Sequence, residues 1–340
     1  MRSPTIALSL CLAAGGAAAQ QTERFTLAGG EVAIYNLAGA VTVEPGPGPV
    51  AVQVTRGGAG AASLAIEQGE LRGRETLRIR YPGDRVVYAG INRGSSTDLR
   101  VREDGTFGDG SADHDHGRHG RRHAEDGRRV RVAGAGEGLE AHADLRIQVP
   151  AGRAVAIYLA VGRVSVANVE GRLLIDAHSA PVTARATKGV LSVDVGSGPV
   201  TVSGAEGELS IDTGSGRVEV TGFRGTELSV DTGSGEVSAT DVRAGGIAIE
   251  TGSGNVTADL RDEIRSLTVE TGSGDVAVTA PAALGAEVDI ETASGDIETD
   301  FALQVTRHAR DHLVGRIGDG KGRIAIETGS GDIRLLKRGS

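Results

Sequence analysis

The 340-residue sequence contains no tryptophan and only four tyrosines and four phenylalanines. A conventional globular core with so few rings would be unusual, because aromatic side chains dominate the surface that a core buries. Valine, isoleucine, leucine and alanine carry the apolar content instead, and 53 residues are glycine. β-Branched residues favour strands and frequent glycine favours tight turns, so the composition predicts an all-β protein.

Cysteine is nearly absent as well, since the one copy, Cys11, lies in the N-terminal segment. That segment has Arg2, a short apolar run and Ala17–Ala19, which is the pattern of a secretory signal peptide over residues 1–19. The run is shorter than the roughly 20 apolar residues of a membrane span, and Leu10 before Cys11 disfavours a lipoprotein. Cleavage after Ala19 would leave no cysteine, and hence no disulfide or thiolate metal site.

A positive charge balance and a second long apolar run are also missing. The formal net charge is −9, which disfavours a nucleic-acid partner because such a partner requires a basic face. We expect no integral membrane segment once the signal peptide has left. These features suit an exported protein of the periplasm or cell surface, and no residue identifies a partner or a cofactor.

The sequence does contain a repeat, which is the feature to read first. Octets of the type IETGSGDI begin at Ile157, Ile175, Val193, Ile211, Val230, Ile249, Val269, Ile290 and Ile326. Successive starts are separated by 18, 18, 18, 19, 19, 20, 21 and 36 residues. The last interval is twice 18, so we predict a degenerate layer within Phe301–Arg323 and about ten layers in all.

Each repeat unit has the residue pattern of short strands. In Leu228–Gly245, alternating apolar positions are interrupted by TGSG and then resume, which is typical of half-buried strands and not of a helix. A unit of this size predicts one coil of a single-chain β-solenoid, a parallel β-helix in which coils bury their apolar residues on one another. A β-propeller is the alternative, but its blades need about 40 to 50 residues.

The layout resembles the bacterial adhesin-like β-strand-repeat (TGSGD-repeat) family, a domain of unknown function found in exported proteins. The matching features are VAIYNLAGAVTVEP near the start, LRIQVPAGRAVAIYLAVGRVSV at Leu145–Val166, and the serial octets. The resemblance implies a right-handed solenoid at the surface or in the periplasm, and it supplies no catalytic residues. The chain departs from the family in a long His/Arg-rich insertion.

Residues 20–150 carry further strands bounded by glycine and proline, and we expect them to form a first coil or two and an N-terminal β cap. The solenoid repeats at 151–340 should continue from this region. Residues 102–129 have almost no apolar side chains and predict a disordered loop. Histidines in this loop, next to aspartates, suggest weak metal binding at His114, His116, His119 and His123.

The simplest interpretation of the octet is a structural corner. Its glycines allow positive φ, and its hydroxyls bond neighbouring backbone groups at the turn. A serine nucleophile is disfavoured, because the spacing differs from G-x-S-x-G and no helix follows. The proposed turn ladder consists of Thr213, Gly214, Ser215, Gly216, Thr232, Gly233, Ser234, Gly235, Thr251, Gly252, Ser253, Gly254, Thr271, Gly272, Ser273, Gly274, Thr328, Gly329, Ser330 and Gly331.

The octet also carries a carboxylate at one constant position. Stacked coils would align Asp194, Asp212, Asp231, Glu250, Glu270, Glu291 and Glu327 into a ladder, with Glu327 at its end. Such a ladder could attract calcium, or, less simply, serve a carbohydrate-active β-helix enzyme, which uses two carboxylates about 5 to 9 Å apart. A uniform ladder has no unique site, however, so we predict a non-enzymatic structural or adhesin-like binding module.

Overall fold

The computed structural model describes residues 22–108 and 127–339, apart from the side chain of His308. The proposed signal peptide lies outside these ranges. About two thirds of the described residues lie in strands, and their one helix is the short 3₁₀ turn Ala61–Ser63. No helix in this part of the chain has the length and apolar character needed to cross a membrane.

The first ten strands build the N-terminal end of the molecule. They are β1 (Thr22–Leu27), β2 (Glu31–Pro45), β3 (Val50–Gly57), β4 (Ala65–Leu71), β5 (Arg74–Arg80), β6 (Arg85–Val87), β7 (Ser96–Val101), β8 (Arg128–Ala133), β9 (Leu139–Glu140) and β10 (His142–Val149). Both ends of the disordered loop expected over 102–129 instead belong to the folded structure, since Phe107 is buried and β8 begins at Arg128. Residues 109–126 lie outside the described ranges.

The next twelve strands form the regular stack, in which every pairing is parallel. They are β11 (Arg153–Ala167), β12 (Glu170–Ser179), β13 (Val182–Arg185), β14 (Lys188–Ser197), β15 (Val200–Ser203), β16 (Glu206–Ser215), β17 (Val218–Thr221), β18 (Arg224–Ser234), β19 (Val237–Thr251), β20 (Val256–Leu260), β21 (Ser266–Thr271) and β22 (Val276–Ala280).

Each coil has two strand segments. We call the surface that contains β12, β14, β16, β18 and β21 face A, and the surface that contains β13, β15, β17, β20 and β22 face B. The long strands β2, β11 and β19 run across both faces. Because side chains alternate along each strand, Leu209 and Ile211 of face A and Val218 and Val220 of face B all point inward and are buried.

The last six strands do not follow the order of the sequence. They are β23 (Ala286–Thr292), β24 (Ile297–Thr299), β25 (Leu303–His308), β26 (His312–Ile317), β27 (Gly322–Thr328) and β28 (Ile333–Lys337). Strand β27 lies between β21 and β23, and β28 lies between β22 and β24. The coil that comes last in the sequence is therefore one layer inside the end of the stack.

The prediction of a degenerate layer within Phe301–Arg323 was wrong. That segment forms an antiparallel hairpin, β25 with β26, and β26 pairs antiparallel with β23. The physical reason is that the outermost coil would otherwise present an open sheet edge, and the hairpin covers it on face A. Glu327 is consequently not at the end of the carboxylate ladder.

The all-β solenoid is confirmed, and the described residues form ten coils. In spatial order they contain β2, β11, β12 with β13, β14 with β15, β16 with β17, β18 with β19, β19 with β20, β21 with β22, β27 with β28, and β23 with β24. The first coil is covered by β5 on face A and by β10 on face B. Antiparallel strands β4, β3 and β1 follow outside them.

Candidate functional site

A column of carboxylates runs along face A. It arises because each of these residues sits between two inward positions, as Asp212 does between the buried Ile211 and Thr213. The pairing register aligns the column in the spatial order Asp176, Asp194, Asp212, Asp231, Glu250, Glu270, Glu327 and Glu291. Neighbouring members are one strand spacing apart, about 4.8 Å. From Asp212 to Glu291 every member is exposed.

Most of this column lacks a cationic partner. In the part of the chain that the structure describes, no ion pair includes Asp194, Asp231, Glu250, Glu270, Glu327 or Glu291. Several carboxylates elsewhere are paired, for example Glu236 with Arg217 at 2.7 Å and Glu206 with Lys188 at 3.0 Å. From Asp231 to Glu291, face A therefore presents a line of negative charge without ion-pair partners among the described residues.

Aromatic rings close the N-terminal end of the column. Tyr158 and Tyr35 occupy the same register position as Asp176, one and two coils further out. Their rings stack at a centroid distance of 4.4 Å, and Phe107 meets Tyr35 edge-on at 5.9 Å. Asp176 is buried at this end, where a Cβ on Gly108 would lie 2.6 Å from its Oδ2 atom.

The TGSG corner is a packing device. Its threonines are buried, and the Oγ1 atoms of Thr271, Thr328 and Thr292 donate to glycine carbonyl oxygens of adjacent coils at 3.1 to 3.3 Å. The Oγ1 atoms of Thr213, Thr232 and Thr251 are buried without a hydrogen-bond partner among the described residues.

The second glycine of each corner cannot be replaced by a larger residue without strain. In Gly254, φ is +150°, and an added Cβ would overlap the carbonyl oxygen of Gly235 in the neighbouring coil. The serines of the corner are outward and mostly exposed, as Ser234 and Ser253 are. These residues stack coils closely, and the exposed serines add a polar border to the acidic column.

Sequence reasoning missed a second ladder, one residue after the corner. Asn255 Oδ1 accepts from the backbone N–H of Asp275 at 2.9 Å, Asp275 Oδ1 accepts from Asp332 at 2.9 Å, and Asp332 Oδ1 accepts from Asp296 at 3.1 Å. The restriction to short Asn and Asp side chains in these four coils was the signal, because such side chains bond nearby backbone groups.

The described histidines do not converge with the carboxylates into a metal or catalytic site. His142 contacts the Tyr88 ring at 5.2 Å in the N-terminal cap, and His312 Nε2 lies 2.9 Å from Asp289 Oδ1 at the other end. Burial lowers the pKa of His178, and the negative charge of Asp194 partly opposes this shift. Within the described ranges no three His, Cys, Asp or Glu side chains are placed to hold a metal ion. His114, His116, His119 and His123 lie outside those ranges.

One cavity, of about 370 Å³, opens in the N-terminal cap and is lined by Leu37, Ile79, Tyr81 and Val101 among others. Its guanidinium groups are already engaged. Arg128 Nη2 donates to the carbonyl oxygen of Tyr81 at 2.6 Å, and Arg80 pairs with Glu67 at 3.4 Å. Glu103 is the one carboxylate among the described lining residues, whereas glycoside hydrolysis commonly needs a pair.

Fold and site together define a β-solenoid with a repeating acidic face. The chain belongs to the Toastrack DUF4097 family, whose model matches residues 129–336. No curated protein matches the chain.

Three solved structures resemble the chain at low identity. A candidate cell adhesion protein from Clostridium sporogenes is 10% identical, with a TM-score of 0.24, covering 94% of this chain and 100% of its own. A candidate lipid-binding protein from Parabacteroides distasonis is 9% identical, with a TM-score of 0.45 and coverage of 94% and 96%. A candidate adhesin from Bacteroides fragilis is 9% identical, with a TM-score of 0.40 and coverage of 95% and 98%. At these TM-scores the similarity says nothing about what this chain binds.

Proposed function

We propose that the protein is an exported, non-enzymatic binding module of the cell envelope, adhesin-like in character, that binds through the acidic column of face A. The observation that carries this proposal is the run of exposed carboxylates from Asp231 to Glu291 without ion-pair partners among the described residues. Ten coils give nine steps and a rigid length of about 43 Å. A long, one-signed surface suits a cationic partner surface, because complementary charge steers and orients association.

The test neutralises the column without changing its shape. The variant Asp231→Asn, Glu250→Gln, Glu270→Gln, Glu327→Gln removes four charges from face A. A matched control removes four charges from face B and the turns, with Glu219→Gln, Glu236→Gln, Glu298→Gln and Asp319→Asn. Co-sedimentation with washed cell-envelope fragments should show binding about tenfold weaker for the face A variant, and near-native binding for the control.

Equal binding by the two variants would contradict the proposal, because net charge alone would then matter. Raising the salt concentration should weaken binding of the natural chain, since exposed charges are screened within about 10 Å at 0.1 M salt. Export is tested separately by mass spectrometry of the protein recovered from an expressing bacterial culture. The expected N-terminal residue is Gln20, and recovery of an intact N-terminus from the cytoplasm alone would contradict export.

A cation-binding solenoid is the second candidate. It is favoured by the spacing of like charges in the column, which repel one another unless a counter-ion lies between them. Millimolar calcium should then raise the melting temperature of the natural chain more than an equal ionic strength of sodium chloride does. The four-site face A variant should lose that difference. A calcium response that persists in this variant would place the cation elsewhere.

A further inference from the structure

The C-terminal coil, Gly322–Lys337, occupies a slot between two other coils. Its face A strand has Glu270 on one side and Glu291 on the other in register with Glu327. Backbone bonds tie it to both walls. Gly274 N donates to Ser330 O at 2.8 Å, and Gly331 N donates to Ser294 O at 2.9 Å. Without this coil, two sheet edges would face each other across one empty layer.

Both walls of the slot precede the C-terminal coil in the sequence. One wall is β21 with β22 and the other is β23 with β24, and the segment 281–285 connects the two walls across the one layer between them. The slot is therefore defined by residues upstream of the coil that fills it. In the regular stack, by contrast, each new coil adds to an open end of the coils that precede it in the sequence.

An exposed glycine-rich turn joins the C-terminal coil to the hairpin of β25 and β26. Gly318 and Gly320 have φ values of +55° and +70°, and Asp319 and Lys321 are exposed. Glycine adopts positive and negative φ readily, so this turn can rearrange without disturbing a packed strand. Such a turn is the kind of hinge at which an element is exchanged between identical chains.

Charge also distinguishes the C-terminal coil from the rest of the chain. Residues 322–339 carry four basic side chains, Arg323, Arg334, Lys337 and Arg338, against two acidic ones, Glu327 and Asp332. The whole chain has a net charge of −9, so the remainder is more acidic still. Arg338 pairs with Asp259 and Arg334 lies 3.7 Å from Glu298, which shows the complementarity inside one molecule.

We propose that this slot is an interaction surface for a second copy of the chain, whose C-terminal coil can be donated into it by opening at Gly318–Lys321. The donated coil would bury Ile324, Ile326, Ile333 and Leu335 as the resident coil does. Each exchanged contact is the same contact made between molecules, which is why such exchange carries little cost beyond opening the hinge. Chains would assemble through their C-terminal layers, leaving face A continuous.

The test uses two full-length chains that each carry one cysteine in a Cys11→Ser background. Thr268 and Ala325 are register partners on β21 and β27. Chains with Thr268→Cys and chains with Ala325→Cys, differently tagged, are incubated together below the unfolding temperature and then oxidised. A control mixture pairs Ala325→Cys with Ser210→Cys, which lies on the same face four layers away.

Coil exchange should give a disulfide-linked heterodimer about tenfold or more above the Ser210 control, because only in-register placement holds the two Cβ atoms within disulfide range. The double variant Thr268→Cys/Ala325→Cys, oxidised before mixing, should lock its own coil and lose the ability to exchange with a tagged natural chain. An equivalent in-register pair, Glu270→Cys with Glu327→Cys, guards against poor geometry at the first pair. Efficient disulfide formation within the double variants, without cross-linking between chains above the control, would overturn the proposal.

Discussion

The regular stack and the N-terminal cap bury their interiors in different ways. The stack repeats Val, Ile, Leu and Thr at fixed positions, and Phe223 is the aromatic residue in its middle. The N-terminal cap and the first coil instead concentrate Tyr35, Tyr81 and Phe107, and Tyr35 stacks on Tyr158 of the adjoining strand β11. A buried polar network lies beneath them, in which Tyr81 donates to Asn36 Oδ1 at 2.8 Å or to Ala38 O at 2.9 Å.

The difference follows from what each region must fit. Successive coils approach to one strand spacing, so their interior is a narrow space that repeats and accepts only small or branched side chains. The cap ends the repeat and packs antiparallel strands against the first coil, which leaves irregular space for rings. Packing in the stack therefore depends on the close approach of backbone to backbone between coils. Packing in the cap depends on individual side chains.

The largest expected effect is at a corner glycine of the stack. Gly274→Ala places a Cβ against the carbonyl oxygen of Gly254 at a φ of +142°. We expect a loss of about 3 kcal/mol or more in the free energy of unfolding, from overpacking and backbone strain together. Denaturant titration measures the loss.

Gly48→Ala is the matched control for that change. Gly48 has a φ of +76° in a cap turn, and nothing lies within 4 Å of an added Cβ. Only strain remains there, at about 1 kcal/mol. Equal losses at the two glycines would mean that close backbone approach does not distinguish the stack from the cap.

An intermediate effect is expected in the cap. Tyr81→Phe removes the buried hydroxyl and leaves Asn36 Oδ1 without this donor, whereas Ala38 O still accepts from Asn36 Nδ2 at 3.1 Å. The lost hydrogen bond should cost about 1 to 3 kcal/mol of unfolding free energy. Burial raises the pKa of this phenol, in keeping with its enclosed position. Tyr88→Phe, at a second buried ring of the same cap whose hydroxyl makes no hydrogen bond to the described residues, should change stability by less than about 0.5 kcal/mol. A larger loss at Tyr88 would contradict the assigned network.

The smallest effect concerns the acidic column. Glu250→Gln removes one member between two like charges and should raise stability by a few tenths of a kcal/mol (about 0.2 to 1) at low salt. Glu236→Gln breaks an exposed pair with Arg217 and should bring no gain. Melting temperatures at low and at about 1 M salt measure both, and the gain at Glu250 should vanish at high salt. A gain that survives high salt would have another origin.

Much of the fold could be predicted from the sequence because the residue pattern of the octet indicates both the strands and the corner between them. Apolar residues at alternate positions set which side chains face inward, and the glycine pair marks each corner. The constant place of the carboxylate within the octet predicted its alignment across coils. The side-chain ladder from Asn255 to Asp296 is harder to predict, because residue type at this position varies over the whole repeat and only these four coils carry Asn or Asp.

The end of the repeat shows where the sequence stops being sufficient. The interval of 36 residues before Ile326 is compatible with an extra coil, and the chain instead builds an outer coil, a hairpin and an inserted last coil. Parallel coils of nearly identical sequence can stack in any order without changing their local pairing. Only the need to cover an open edge, which involves residues far apart in the chain, selects among these orders.

The sequence by itself therefore determined the unit of this protein: its strands, its corner glycines and the outward position of its carboxylates, all of which follow from local periodicity. The tertiary structure decided the spatial order of the last coils, the aromatic closure of the column above Asp176, and the place of Glu327 between Glu270 and Glu291. Those features depend on which surfaces of distant segments meet, and a repeated local pattern carries no information about that choice.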